Sequence, residues 1–578
     1  MEDVWRGYDP EALPLEIEII KSWQEDGCWL EKLRFTGETV DGAKTRILAV
    51  RGGPIGGKNV PGVLHIHGGG QTFYPGWVKF WASRGYACVT FDFCGKAYDR
   101  TEYTDWGPLE TCNMPKAGDG YFVKPDVRAS SWYHWVVACR RALTLLAQTP
   151  GVDRKRLGIF GISVGGTLCW MVAGCDHRVK AAAPIYGCGY NIDPRRPANE
   201  AAPPSKEHLE FKRLLSPEAC APYITCPVLF LSATNDMHGR MPTAYEILAA
   251  VDAPVRQVFT PKYDHHVEPE QARDLPLWMD WHLKGGAPFP KTPKIEVGLD
   301  RRGVPIATVT ADDADRVSRV EIYYSLGDKV PGARFWRTVR AQESLRTWRA
   351  GLPVLDTWQS LSAFANVFYS SGVCLSSNLV YTIPAQLGRA RATLKWSALI
   401  DDDKDPTAKW YFVPAYTDPC IDVTYLKAGE DSSGKFLTLN PQAFGGDINF
   451  YIGSHFPGDE QYEGKPGKAL AFEFKGAFKG DLTVTIVQND RLIGGKNFSA
   501  TVSIESARTG WQSVVLPLSA FKGEDGGGPA SWEEIDKVNI TGTTSSDGPP
   551  CFRGFRWVDE SLEKRVSANV KDDSGNGP

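Results

Sequence analysis

RLGIFGISVGGTLCWMVAG (156–174) decides how this chain is read. RLGIFGI is a short apolar run of strand type, and TLCWMVAG continues as a helical stretch. Between them GISVGG (161–166) sets Ser163 among glycines. A G-x-S-x-G pentapeptide alone arises easily by chance at this glycine content. A strand before it and a helix after it are the setting a nucleophile elbow needs, because the serine must sit on a sharp strand-to-helix turn. Glycines allow that turn by carrying no Cβ to clash with the neighbouring strand and helix. The alternative is a simple glycine-rich turn.

Working outward, GVLHIH (62–67), YACVTFDF (86–93), VKAAAPIYG (179–187), PVLFLSA (227–233) and VRQVFT (255–260) alternate with helical patterns. That alternation predicts a mostly parallel sheet flanked by helices. Two long interruptions, 94–126 and 187–225, exceed ordinary loop lengths and are read as walls or lids over a site. PEQARDLPLWMDWHLKGG ends at a glycine pair, and the proline-rich APFPKTPK makes a boundary near 285–293. From 294 the texture turns to alternating strands with turn residues. The expected organisation is an α/β domain over 1–290, an immunoglobulin-like sandwich over 294–390, a jelly-roll sandwich over 393–560 and a polar tail over 561–578.

A serine hydroxyl needs a base, and the base an orienting acid. After the strand PVLFLSA, TNDMHG places Asp236 at a strand's C-terminal edge, where α/β sheets gather functional groups; an Asx turn is its other reading. After the next strand, TPKYDHHVEPE offers His265 and His266, and only one can face Ser163. His238, on the acid's own loop, reads as pocket-lining or structural. The order Ser163, Asp236, base is that of α/β-hydrolases. Upstream, HIHGGGQ (65–71) leaves a strand as a glycine loop. The amides of Gly69 and Gly70, with that of Val164, are the candidate oxyanion donors. Tyr74, Trp77 and Trp170 flank these motifs and are candidates for an acyl or sugar subsite, with core packing as the alternative. Arg195 and Arg196 lie in the second interruption, where a guanidinium would hold a carboxylate, or form a surface pair. DDDKD (402–406) reads as a solvated loop before a calcium site.

Composition narrows the class. A formal net charge of -4 with 23% charged residues gives no field to draw in nucleic acid or anionic lipid. The 19 Trp, 21 Tyr and 26 Phe supply flat faces suited to core packing or sugar stacking. Thirteen cysteines show no metal-ligand spacing, so buried thiols are expected, with room for one or two disulfides. The N-terminus has no basic and apolar export pattern, which leaves the compartment open. No stretch approaches the roughly 18 apolar residues of a membrane span.

HIHGGGQ, the elbow with its flanks, LSATNDMHG and TPKYDHHVEPEQARDLPLWMDWHLKGG together resemble the acetyl xylan esterase and dienelactone hydrolase-like branch of the α/β-hydrolases, over roughly 30–290. In that branch the histidine follows an Asn or Asp at this loop, which implies His265 as base and leaves His266 as the alternative. The last domain, with FEFKG, GWQSVVLPLSAF and FRGFRW, resembles galactose-binding-type jelly rolls found as carbohydrate-binding modules. The resemblance implies a cofactor-free serine esterase acting on O-acylated poly- or oligosaccharides, acetyl xylan first. The rivals are a general carboxylesterase or feruloyl-type esterase, a peptidase, and a carbohydrate-binding protein whose hydrolase domain is spent.

Overall fold

The computed structural model describes all residues except 115–125, 189–205, 402–404, 414–422, 445, 490–494, 505–509, 546–547 and 563–578. Its first part is built on one nine-stranded sheet. The strands are β1 (Glu18–Glu25), β2 (Cys28–Val40), β3 (Ala43–Pro54), β4 (Val60–Ile66), β5 (Ala87–Phe91), β6 (Val152–Ile162), β7 (Val179–Ile185), β8 (Val228–Ala233) and β9 (Val255–Thr260). They lie in the order β1-β2-β3-β5-β4-β6-β7-β8-β9. From β5 onward every pairing is parallel, and the six expected strands are these six. Helices cover both faces, so β5 and β8 are buried along their whole length and read as continuous apolar runs. This is the α/β-hydrolase fold.

The sequence reading passed over β1, β2 and β3, which extend the sheet antiparallel. β1 is an edge strand exposed on nearly every residue, and it carries no apolar alternation to announce it.

Two antiparallel sandwiches follow. The first pairs a four-stranded sheet starting at Lys294–Leu299 with a sheet centred on Val317–Leu326 and Leu361–Tyr369. The second packs two five-stranded sheets, ordered 411–412, 447–454, 535–545, 482–488, 496–502 and 426–431, 434–439, 551–559, 468–475, 512–517.

The sandwiches are bonded to the α/β domain and to each other. Trp278 and Met279 share one apolar core with Ile295, Val320 and Leu361 of the first sandwich. Phe289, within the proline-rich stretch, stacks on Trp281 at 5.8 Å. Along β9, the Phe259 amide donates to Ser376 Oγ (2.8 Å) and its carbonyl accepts from Asn366 Nδ2 (3.0 Å). Arg337 Nε donates to buried Asp459 (3.1 Å), tying the two sandwiches together. Unpaired buried backbone groups cost as much as a lost hydrogen bond, so these bonds fix the register of the joints.

The twelve cysteines among the described residues are thiols, and all but Cys175 are buried. Asp405, in the acidic run, accepts from Thr407 N (2.9 Å) and closes a local turn; 402–404 lie outside the described residues. No described group of His, Cys, Asp and Glu has the make-up of a metal site.

Candidate active site

Ser163 stands between β6 and the helix Val164–Cys175 with φ 60° and ψ −118°. A non-glycine residue held there costs on the order of 1–3 kcal/mol, and such strain gathers at functional sites. The surroundings enforce it. The Ser163 amide donates to Ile185 O (2.9 Å), and its carbonyl accepts from Thr167 N (3.1 Å). Any Cβ on Gly165 would collide with the carbonyl oxygens of Ile66 and His67, and one on Gly161 with that of Gly165. The pentapeptide glycines are therefore required by backbone contact.

Asp236 follows β8 and is buried. Its Oδ1 accepts from the amides of His238 (2.6 Å) and Gly239. Its Oδ2 accepts from His265 Nδ1 in a short contact. The Asx turn and the acid–histidine pair are thus both present, one on each carboxylate oxygen. The ring of Tyr186 backs that of His265 at a centroid distance of 4.1 Å, and His238 stands at 6.3 Å.

His266 turns elsewhere. It packs on Tyr263 (5.0 Å) and edge-on to Tyr425 of the last sandwich (5.5 Å), with Nε2 3.7 Å from Glu268. Burial pushes its pKa down to about 3, so it is neutral across the working range.

Ser163, His265, Gly69, Tyr74 and Trp77 all line one cavity of about 680 Å³, within the range of small-molecule sites. The glycine loop is pinned by His67, whose Nε2 accepts from Phe93 N (3.2 Å) while Nδ1 donates to Gly68 O (2.7 Å). Gly69 lies against Val164, whose amide opens the helix and has no intrahelical acceptor.

Three expectations change. Gly70, the other candidate donor, is not among the described residues that line the cavity, and its carbonyl accepts from Arg100. Trp170 is not in the cavity but fully buried beside Phe230, two helical turns beyond Ser163. The described parts of the two interruptions contribute nothing to the lining. Arg195, Arg196 and the stretches 115–125 and 189–205 of the two interruptions lie outside the described residues.

The wall missed by sequence reading comes from the last sandwich: Tyr411, Phe412, Val413, Tyr451 and Lys537. No local motif announces it.

Beneath this wall burial raises the pKa of Glu268 to about 7, opposed by the Tyr263 hydroxyl and reinforced by Glu270. The folded protein therefore holds this proton where the unfolded chain, at the ordinary carboxyl value of 4.5, releases it. The stabilisation is complete below about pH 4.5 and is lost as pH rises toward 7. Glu268→Gln is expected to gain on the wild type by on the order of 3 kcal/mol across that window, read as the pH dependence of the difference in thermal unfolding.

Residues 31–198 match the family described as Acetyl xylan esterase (AXE1). The resemblance carried by the motifs is thus found again across the glycine loop and the elbow; Asp236 and His265 lie beyond the matched segment. The acetyl esterase Axe7A of Xylanibacter ruminicola is 27% identical over 218 residues, 36% of this chain and 48% of that protein. The chain spans about half the length of this curated relative. Similar solved structures include an acetyl xylan esterase from Paenibacillus sp. R4 (TM-score 0.38, 21% identity, 47% of this chain and 91% of that one). Acetyl xylan esterase 1 from Thermoanaerobacterium sp. JW/SL YS485 gives a TM-score of 0.36 at 18% identity, over 48% of this chain and 92% of that one.

Proposed function

We propose that this protein is a serine esterase that deacylates O-acylated carbohydrates, with acetylated xylan or its oligomers as first substrate. The observation that carries this is the meeting of a strained Ser163 and the Asp236–His265 pair in one cavity. The match to acetyl xylan esterases supports the acyl group. With Nδ1 donating to Asp236, His265 presents a bare Nε2 as the base for Ser163 Oγ. The hydroxyl attacks the ester carbonyl, and the amides of Gly69 and Val164 receive the oxyanion at a helix N-terminus. His265 then protonates the departing sugar oxygen, which leaves as a free hydroxyl, and water, activated by the same imidazole, releases the acid. No step calls for a metal or organic cofactor.

A feruloyl-type reading draws on the aromatic lining, in which Phe73, Trp77, Tyr411 and Phe412 offer faces to a ring. The full chain is to be assayed for acetate release from acetylated xylo-oligosaccharides and for ferulate release from methyl ferulate. Acetate release with kcat/KM at least tenfold higher supports the deacetylase; the reverse ratio replaces it with the feruloyl esterase. No turnover of either ester would sink both.

A further inference from the structure

The residue beside the proposed base is held by another domain. Asp264 is buried, and two strands of one sheet of the last sandwich, with His455 just past the end of a third, converge on it. Lys537 Nζ donates to its Oδ2 (2.6 Å), Tyr411 OH to the same oxygen (3.3 Å), and His455 Nε2 lies 3.3 Å from Oδ1. The ring of Tyr411 stacks on that of His455 at 5.5 Å, and the Lys537 ammonium lies 5.4 Å from the Tyr411 ring centroid. The side chains of Lys537 and Asp264 are only 5% and 10% exposed. A buried carboxylate without a cation is costly, so Asp264 requires this partner. Arg337–Asp459 also joins domains, but neither of its residues lines the cavity, whereas Lys537, Tyr411 and Asp264 all do.

We infer that Lys537, with Tyr411 and His455, is a positioning residue for His265: it anchors Asp264, and thereby the backbone that aims the base at Ser163. The last sandwich is then a working part of the esterase site, in addition to any part it plays in binding sugar. This rests on the esterase reading above. A base misplaced by an ångström costs rate far more than binding.

The test is steady-state hydrolysis of p-nitrophenyl acetate by the full chain across pH. Lys537→Met is expected to lower kcat by about tenfold or more with KM changed less than about threefold. Lys537→Arg, which keeps the charge, restores most of the rate. His265 is faced by Asp236, His238, Tyr186 and its neighbours Asp264 and His266; Asp264 is faced by Lys537, Tyr411 and His455. Removing the Lys537 charge leaves Asp264 to favour the imidazolium, so the acid limb of kcat/KM moves to higher pH. In Asp264→Asn the loss of the carboxylate charge beside His265 moves it to lower pH. Opposite shifts are a signature that loss of domain docking does not produce. Arg337→Met serves as the docking control, with thermal stability lowered and the limb in place.

An unchanged kcat and acid limb in Lys537→Met overturns the inference. If that variant does not fold, the near-isosteric Asp264→Asn carries the test, and an unmoved limb there overturns it equally. Failure of the esterase reading is distinct, since the wild type would then be inactive or Ser163→Ala active.

Discussion

Ser163→Ala is expected to abolish ester hydrolysis, lowering kcat for p-nitrophenyl acetate by on the order of 10⁶-fold, the scale seen when a triad serine is removed. The fold should not register the change. The hydrogen bonds that hold residue 163, to Ile185 and from Thr167, both use its backbone. Alanine keeps the Cβ and inherits the same φ of 60°, so the strain is neither relieved nor increased. Thermal unfolding should stay within a degree or two of the wild type while the burst of p-nitrophenol disappears. Activity within tenfold of the wild type would remove Ser163 from the mechanism and the esterase reading with it.

Asp236→Asn is expected to cost on the order of 10³–10⁴-fold in kcat, and the reason lies in donor counting. The carboxylate accepts from two backbone amides on one oxygen and from His265 Nδ1 on the other. An asparagine has one accepting oxygen and one donating NH₂. If its oxygen stays with the amides of His238 and Gly239, its NH₂ meets Nδ1 and forces the proton onto Nε2, the atom that must be bare to accept from Ser163. If it flips, two backbone amides face a donor and the loop opens. The first arrangement costs less structure, so the variant should fold and bind while kcat falls, with little partial recovery at high pH. Retention of more than a tenth of the wild-type rate would show that the Asp236–His265 contact is structural only.

The legible parts of this molecule were those written in contiguous residues. The elbow, the glycine loop and TNDMHG each carry their own strand context, and six parallel strands announce themselves as buried apolar runs. Errors arose where a residue's neighbour in sequence is not its neighbour in space. Trp170 is close to Ser163 in sequence, but two helical turns carry it down into the core. Gly70 shares the glycine loop, but beyond a turn closed by Gln71 N on Gly68 O (3.2 Å) it is not among the described residues that line the cavity. The adjacent histidines differ because the loop sends one ring to Asp236 and the other to Glu268 and Tyr425. The aromatic wall was beyond reach for a related reason: the partners of Asp264 stand 147, 191 and 273 residues along the chain. Nothing local distinguishes Lys537 among 65 basic residues.

That 273-residue span between Asp264 and Lys537 also sets a clock. On the ribosome the serine, the acid and the base have all been made by residue 265, yet the groups that hold the base loop have not. At about 5–20 residues per second, synthesis needs on the order of tens of seconds more before Lys537 exists, and longer before its sheet emerges to dock. During that interval Asp264 has been made but the lysine that bonds it has not. On the positioning role inferred for Lys537, the nascent chain works below its full rate until the last sandwich docks on it.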